Sequence, residues 1–237
     1  MGATSEPFES GERYVLTVPG VSYPLHLPWV WLSGDDRDVR IASLNLVGQI
    51  RWNRDLGRLL AERIRSACAE YRDLCLITVV EKALQLAQVV ASELDMAAMA
   101  VAYNRVKPHM EPSGRPVIQV GADSITSGVK YLALYERDIN LLAARAACGV
   151  ILIDDVVTTG GTVLGLVDLL DQVVRFKSLP NPIPLRGVFC VAEEGKRTRV
   201  LPAPVHSLAH LRDPLLRPGT LTADVTQGKL WPRSPSV

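Results

Sequence analysis

The sequence predicts an α/β fold, in which a parallel-sheet core is flanked by helices. Two observations lead to this prediction. Four short runs are rich in Val, Ile, Leu and Ala without polar alternation, which is typical of strands buried on both faces. Segments with helical spacing of apolar residues separate these runs along the chain. The apolar runs are residues 74–80, 97–103, 149–153 and 184–192.

The first fifty residues have a different pattern. Residues 13–18 and 39–46 predict two further short strands. Between them, residues 23–33 (YPLHLPWVWLS) contain two prolines. Proline in these positions argues against a helix and favours irregular structure or an edge strand.

Helical spacing is clearest over residues 53–71, where Leu56, Leu60 and Ile64 share one face and charged side chains lie off it. The remaining predicted helices are residues 83–94, 139–147 and 162–174.

The other segments lack helical spacing. Residues 104–128 begin with a stretch containing proline, glycine and polar residues, which predicts a long mobile loop. Alternating segments at 117–122 and 129–135 suggest strands. Residues after about 211 contain four prolines, so they predict a tail that either wraps the body or is disordered.

Composition narrows the class of protein. The 237 residues suffice for one large domain, or for a domain with a smaller subdomain. With 26 Lys and Arg against 25 Asp and Glu, bulk charge gives no support to a nucleic-acid partner. No apolar run reaches the ~18 residues of a membrane span, and the polar, acidic start predicts neither a secretory signal nor a transit peptide. Four cysteines without C-x-x-C spacing predict reduced thiols in a cytoplasmic protein.

The segment that carries chemistry is residues 149–163, GVILIDDVVTTGGTV. A buried strand ends in Asp154 and Asp155, and a run of threonines and glycines then opens a helix. Glycines let backbone N–H groups approach an anion, the helix N-terminus adds a positive dipole end, and threonine hydroxyls add donors. The two carboxylates suit vicinal hydroxyls or a Mg²⁺ ion. A phosphate site next to a diol site describes a ribose 5-phosphate.

This segment resembles the signature of the type I phosphoribosyltransferases, which is a buried strand, two acids, two apolar residues and then T/A-T-G-G/x-T. The resemblance implies a five-stranded parallel core with a small hood over the active site. It also implies that Asp154 and Asp155 hold the ribose hydroxyls of phosphoribosyl pyrophosphate (PRPP) and, through hydroxyls or water, Mg²⁺. The residues that would wrap the 5-phosphate are Thr158, Thr159, Gly160, Gly161 and Thr162.

The turn after the first core strand resembles the pyrophosphate loop of this family. Glu81 and Lys82 follow residues 74–80, as in the E-x-K-G turn of adenine-type members, but Ala83 stands where those members have glycine. By resemblance, Lys82 would bind the pyrophosphate of PRPP.

Residues 101–114 resemble the catalytic loop of orotate and adenine phosphoribosyltransferases, with Val106 in place of one lysine. The resemblance implies Arg105 and Lys107 as catalytic cations and the 104–128 loop as a lid that excludes water. Residues 124–138 resemble a further adenine-type segment, so the resemblance covers about residues 39–195.

The reaction follows from the implied substrate. A ring nitrogen of a nucleobase or related heteroaromatic would displace pyrophosphate through an oxocarbenium-like transition state, stabilised by cations and Mg²⁺. The residues implied in catalysis are Lys107, Arg105, Glu81 and Asp155, and either Glu81 or Glu111 could take a proton from the nucleophile. Because 6-oxopurine enzymes usually carry an acid where this chain has Thr158, adenine-like or non-purine acceptors rank first.

The resemblance also suggests an organisation of the chain and a homodimer. We expect residues 1–50 to form an N-terminal extension and part of the hood, residues 51–192 the core, and residues 193–237 a hood strand (204–211) and tail. Two alternatives stay open: a regulatory protein that senses PRPP, and a scaffold that has lost catalysis, which Val106 and Ala83 motivate.

Overall fold

The computed structural model describes residues 11–32, 37–104, 116–124, 128–195 and 200–218. These segments form eleven strands and four α-helices. The strands are β1 (Arg13–Leu16), β2 (Leu25–Leu32), β3 (Arg37–Ala42), β4 (Cys75–Val79), β5 (Ala100–Ala102), β6 (Val117–Ser124), β7 (Gly128–Tyr135), β8 (Val150–Val157), β9 (Leu185–Glu194), β10 (Val205–Leu211) and β11 (Leu215–Pro218). The helices are α1 (Ile50–Ala67), α2 (Leu84–Glu93), α3 (Glu136–Ala144) and α4 (Gly161–Lys177).

The centre of the molecule is a five-stranded sheet in the order β10-β9-β8-β4-β5. All four neighbouring pairs in it are parallel. Each of the four predicted apolar runs forms one of these strands. The predicted α/β class with a parallel-sheet core and flanking helices is therefore confirmed.

Each face of the parallel sheet packs into its own hydrophobic core, because successive strand residues point to opposite faces. On β8, Ile151 and Ile153 join the core formed with α1, α2 and the antiparallel strands near the N-terminus. Val150 and Leu152 join the core formed with α3, α4 and the β6–β7 hairpin. This arrangement explains why the strands lack polar alternation.

A second, antiparallel sheet has the order β1-β2-β3-β11. The expectation of irregular or edge structure for residues 23–33 is wrong, since β2 is an interior strand of this sheet. Pro28 lacks an N–H, but its carbonyl oxygen accepts a hydrogen bond from the Ser43 amide, and the Trp29 amide donates to the Glu12 carbonyl. The ladder therefore continues on both sides of the proline.

Residues 204–211 do not form a hood strand. They form β10, which pairs with β9 in parallel at one edge of the central sheet. The C-terminal part of the chain reaches the antiparallel sheet later, through β11 and its pairing with β3. The predicted domain boundaries near residues 50 and 192 stay a prediction.

The described cysteines are free thiols, as predicted. Cys75 and Cys190 are buried, and Cys68 and Cys148 are partly buried. Burial raises the pKa of Cys75 to about 11, so the thiolate form is disfavoured. None of the helices in the described segments is long and apolar enough to cross a membrane.

Candidate active site

The candidate site is a cleft of about 470 Å³ at the carboxyl ends of β4, β8 and β9. Open parallel sheets bind ligands at this edge. One wall comes from the antiparallel sheet and the turn after it, residues 41–44. The other wall comes from the turn after β4, the end of β8 and the start of α4. The antiparallel sheet thus lines the same cleft as the threonine–glycine run of residues 158–162.

Asp154 and Asp155 lie inside β8, which ends at Val157. The sequence had suggested that the strand ends with these two acids. The strand continues to Val157 because Val156 and Val157 still pair with Ala192 and Glu193 of β9. Asp154 is 9% exposed, and its Oδ1 accepts a hydrogen bond from the Asp155 amide at 2.9 Å. Both acids line the cleft.

The threonine–glycine run forms the turn between β8 and α4. Thr158 is exposed and Thr159 partly buried, and both line the cleft with Gly160, Gly161 and Thr162. Gly160 has φ +81° and is the N-cap of α4, which makes no side-chain capping hydrogen bond. The first N–H groups of α4 thus have no side-chain cap, and such groups with a positive dipole end suit an anion.

Leu201 packs over residues 158–162, the phosphate-type turn. A Cβ added at Gly160 would lie 2.5 Å from Leu201 Cδ2. A side chain at residue 160 would therefore be strained by the positive φ, and it would also force the end of the Leu201 side chain to move.

Glu81 and Lys82 lie in the turn between β4 and α2, and both are exposed and line the cleft. The Val80–Glu81 peptide bond is cis. The turn is held at both ends: the Val80 amide donates to the Ala102 carbonyl at 3.0 Å, and the Leu84 amide donates to the Glu81 carbonyl at 3.1 Å. Ala83, which replaces the family's glycine, is 1% exposed. Among the predicted cations, Lys82 is thus the one that the described part of the chain brings to the cleft.

Arg105 and Lys107, with His109 and Glu111, lie outside the described residues. The neighbouring Asn104 lines the cleft. Their predicted roles in catalysis stay predictions.

Sequence reasoning missed one acid of this site, Glu194. It is the last residue of β9, it lines the cleft, and it is 8% exposed. Its Oε1 has no hydrogen-bond partner among the described residues. Burial raises the pKa of Glu194, and the nearby charge of Asp213 raises it further. A usable signal existed, since Glu193 and Glu194 follow the predicted strand 184–192 as Asp154 and Asp155 follow 149–153.

Comparison with known proteins agrees with this geometry. A family model described as the phosphoribosyl transferase domain matches residues 49–174, which is more than half of the chain. No curated protein sequence matches the chain significantly.

Solved structures share the fold at low sequence identity. Adenine phosphoribosyltransferase from Rhodothermus marinus is 14% identical, with a TM-score of 0.52 over 84% of this chain and 94% of that chain. Adenine phosphoribosyltransferase from Giardia lamblia, solved with 9-deazaadenine, is 12% identical, with a TM-score of 0.48 over 84% of this chain and 93% of that chain. The family match, with a parallel sheet whose acids and threonine–glycine turn share one cleft, identifies the chain as a member of the phosphoribosyltransferase family, and as a phosphoribosyltransferase by enzyme class.

Proposed function

We propose that this phosphoribosyltransferase transfers the 5-phosphoribosyl group of PRPP to a ring nitrogen of a nucleobase or related heteroaromatic and releases pyrophosphate. One observation carries the proposal. The paired acids of β8, the turn that opens α4 and Lys82 line the same cleft. These three features match the diol, the 5-phosphate and the pyrophosphate of one substrate molecule.

The 5-phosphate would bind in the turn from Thr158 to Thr162. Backbone N–H groups at the start of α4 and the threonine hydroxyls would donate to its oxygens. Leu201 lies against the turn at Gly160. Binding at this end would fix the ribose so that its reacting carbon faces the rest of the cleft.

The ribose hydroxyls would donate to Asp154 and Asp155. The described residues contain no group of three or more acidic, histidine or cysteine side chains that could hold a metal ion alone. This donor set still fits Mg²⁺, because that ion usually keeps several waters and binds one or two carboxylates together with substrate oxygens. When bound, Mg²⁺ would neutralise the charge that develops on the leaving pyrophosphate.

Displacement breaks the bond from ribose C1 to pyrophosphate and forms one to the base nitrogen. We propose that Lys82, Arg105 and Lys107 stabilise the pyrophosphate as its negative charge grows. If the attacking nitrogen carries a proton, Glu81 or Glu111 would accept it. The segment around Arg105 would close over the cleft as a lid.

The acceptor that we favour is adenine or an adenine-like base, which would place the enzyme in purine salvage. Thr158 replaces the acid that 6-oxopurine enzymes usually carry, so hypoxanthine and guanine rank lower. We further propose a cytoplasmic homodimer that has no nucleic-acid or membrane partner.

The test is release of pyrophosphate from PRPP and Mg²⁺ with one candidate base at a time: adenine, hypoxanthine, guanine, orotate or uracil. We expect release that depends on adenine and is lost in the double variant Asp154→Asn/Asp155→Asn. The matched control is Asp168→Asn/Asp171→Asn, which changes two exposed acids of α4 and should release pyrophosphate at the wild-type rate.

Two results would contradict the proposal. If no base in the panel supports release while calorimetry still detects PRPP binding, the protein binds the substrate in another role. If PRPP does not bind to the wild type, the assignment of residues 154–162 is wrong.

A further inference from the structure

Glu194 is a buried carboxyl group that the proposed chemistry does not use. Only 8% of the residue is exposed, and its Oε1 finds no hydrogen-bond partner in the part of the chain that the structure describes. A buried polar atom without a partner costs about 1–3 kcal/mol. Such an atom at the wall of a ligand cleft calls for a ligand group that satisfies it.

Glu194 lies one residue beyond the pair that Glu193 forms with Val157, so it sits beside the end of β8. It ends β9, where it lies opposite Leu211 of β10, and Leu211 lines the cleft as well. The phosphate-type turn follows β8, one strand away. The wall formed by residues 41–44 of the antiparallel sheet faces the same cleft. A phosphate held by the N–H groups at the start of α4 would leave the space lined by Glu194, Leu211 and residues 41–44 to the rest of the ligand, including its base.

The surroundings of Glu194 favour a hydrogen-bond donor over a phosphate. Among the described residues, the charged group that influences it is another acid, Asp213, and both burial and this acid raise the pKa of Glu194. A carboxyl oxygen without a partner can accept a hydrogen bond whether or not the group is protonated. An exocyclic amino group on a base offers the matching donor.

We propose that Glu194 is the specificity-determining residue for the acceptor, and that its side chain hydrogen-bonds the exocyclic amino group of an aminopurine such as adenine. This inference rests on the proposed function, because it takes the cleft to hold a ribose 5-phosphate. It goes further by naming the residue that selects the base and the edge of the base that it contacts.

The test compares equilibrium binding of three ligands by calorimetry: AMP, purine riboside 5′-monophosphate, and ribose 5-phosphate. The first two differ only in the amino group, and the third lacks a base. The proteins are the wild type, Glu194→Met, Glu194→Gln and Glu193→Gln. Methionine matches the length of glutamate without an acceptor oxygen, whereas glutamine keeps one. Glu193 is a matched control, because its Oε1 accepts a hydrogen bond from the Ser207 hydroxyl at 2.8 Å.

We expect the wild type to bind AMP about tenfold or more tightly than purine riboside 5′-monophosphate, as one buried hydrogen bond allows. Glu194→Met should reduce that ratio to about one without changing the affinity for ribose 5-phosphate, a pattern that a merely structural role would not produce. Glu194→Gln and Glu193→Gln should keep the preference for AMP.

Two results overturn the inference. The first is a wild-type protein that binds AMP and purine riboside 5′-monophosphate equally well. This result does not depend on whether any variant folds. The second is a ratio in Glu194→Met equal to that of the wild type. Ribose 5-phosphate separates this failure from that of the proposed function: if neither it nor PRPP binds to the wild type, both proposals fall together.

Discussion

At the scale of single residues, Gly160 shows how the phosphate-type turn depends on two separate constraints. Its φ of +81° is a conformation that side chains with a Cβ rarely adopt, and Leu201 fills the space where a Cβ would lie. Gly48 has a similar φ of +76° but has nothing within 4 Å of the Cβ position. The two glycines therefore allow the conformational constraint and the contact to be measured apart.

We predict that Gly48→Ala and Gly160→Ala each lower the free energy of unfolding by about 1–3 kcal/mol, because both force alanine into a left-handed conformation. Only Gly160→Ala should displace Leu201 and reduce the affinity for ribose 5-phosphate, by about tenfold or more. Urea denaturation and calorimetry measure the two effects. Equal ligand affinity in the two variants would show that the Leu201 contact does not shape the turn.

At the scale of elements, β11 connects the end of the described chain to the wall of the cleft. It pairs with β3 from Leu215 to Pro218, and β3 leads into residues 41–44, which line the cleft. Without β11, β3 would become an edge strand with an unpaired ladder.

Two shortened chains test this connection. We expect a chain that ends at Arg212 to lose about 2 kcal/mol of stability relative to a chain that ends at Pro218, since it lacks the backbone hydrogen bonds of β11. Its affinity for AMP should fall, whereas its affinity for ribose 5-phosphate should stay within a few fold. Thermal unfolding and calorimetry report both quantities. A parallel loss of both affinities would show that β11 supports the whole cleft rather than its base end.

The central strands that could be predicted from the sequence are those buried on both faces. Strands β4, β5, β8 and β9 are covered on both faces, so their apolar runs were recognisable. Strand β10 is a sheet edge with several half-buried residues. Because of this mixed pattern, it was predicted to be a strand of the hood instead. Strand β2 was missed because a proline was taken as a sign of an edge, although its neighbours supply the hydrogen bonds of the ladder.

The residues of the site also differ in whether the sequence could predict them. Asp154 to Thr162 are adjacent in sequence, and their order alone indicates their chemistry. The role proposed for Glu194 depends on its burial and on the lack of a partner for its Oε1 among the described residues, and neither property is visible until β9 and β10 are placed beside the cleft. The sequence places Glu193 and Glu194 at the end of a predicted strand, but it does not show which of them lines the cleft.

At the scale of the whole molecule, ligand binding should stabilise the fold. The cleft is built from residues far apart in the chain, so it exists only in the folded state and a ligand binds only that state. We predict that PRPP with Mg²⁺, at about 100 times its dissociation constant, stabilises the protein by about 2.7 kcal/mol. For a chain of this size that corresponds to a rise in Tm of roughly 5–10 °C.

Removal of the metal tests its part in this effect. With EDTA, PRPP should raise the Tm by less than half as much, since no cation would then offset the negative charges of Asp154, Asp155 and the pyrophosphate. The Asp154→Asn/Asp155→Asn variant should show little rise with Mg²⁺. A rise in Tm that is equal with Mg²⁺ and with EDTA would rule out a metal-dependent mode of PRPP binding.

The pairing of β3 with β11, and the packing of Leu201 on Gly160, also have a consequence for synthesis of the protein. A ribosome releases the N-terminal part first, so the residues of the phosphate-type turn leave the exit tunnel before Leu201, and β3 leaves it long before β11. A nascent chain can therefore build most of the parallel sheet while its cleft is still incomplete. We expect full affinity for AMP only when the last described residues are free of the ribosome.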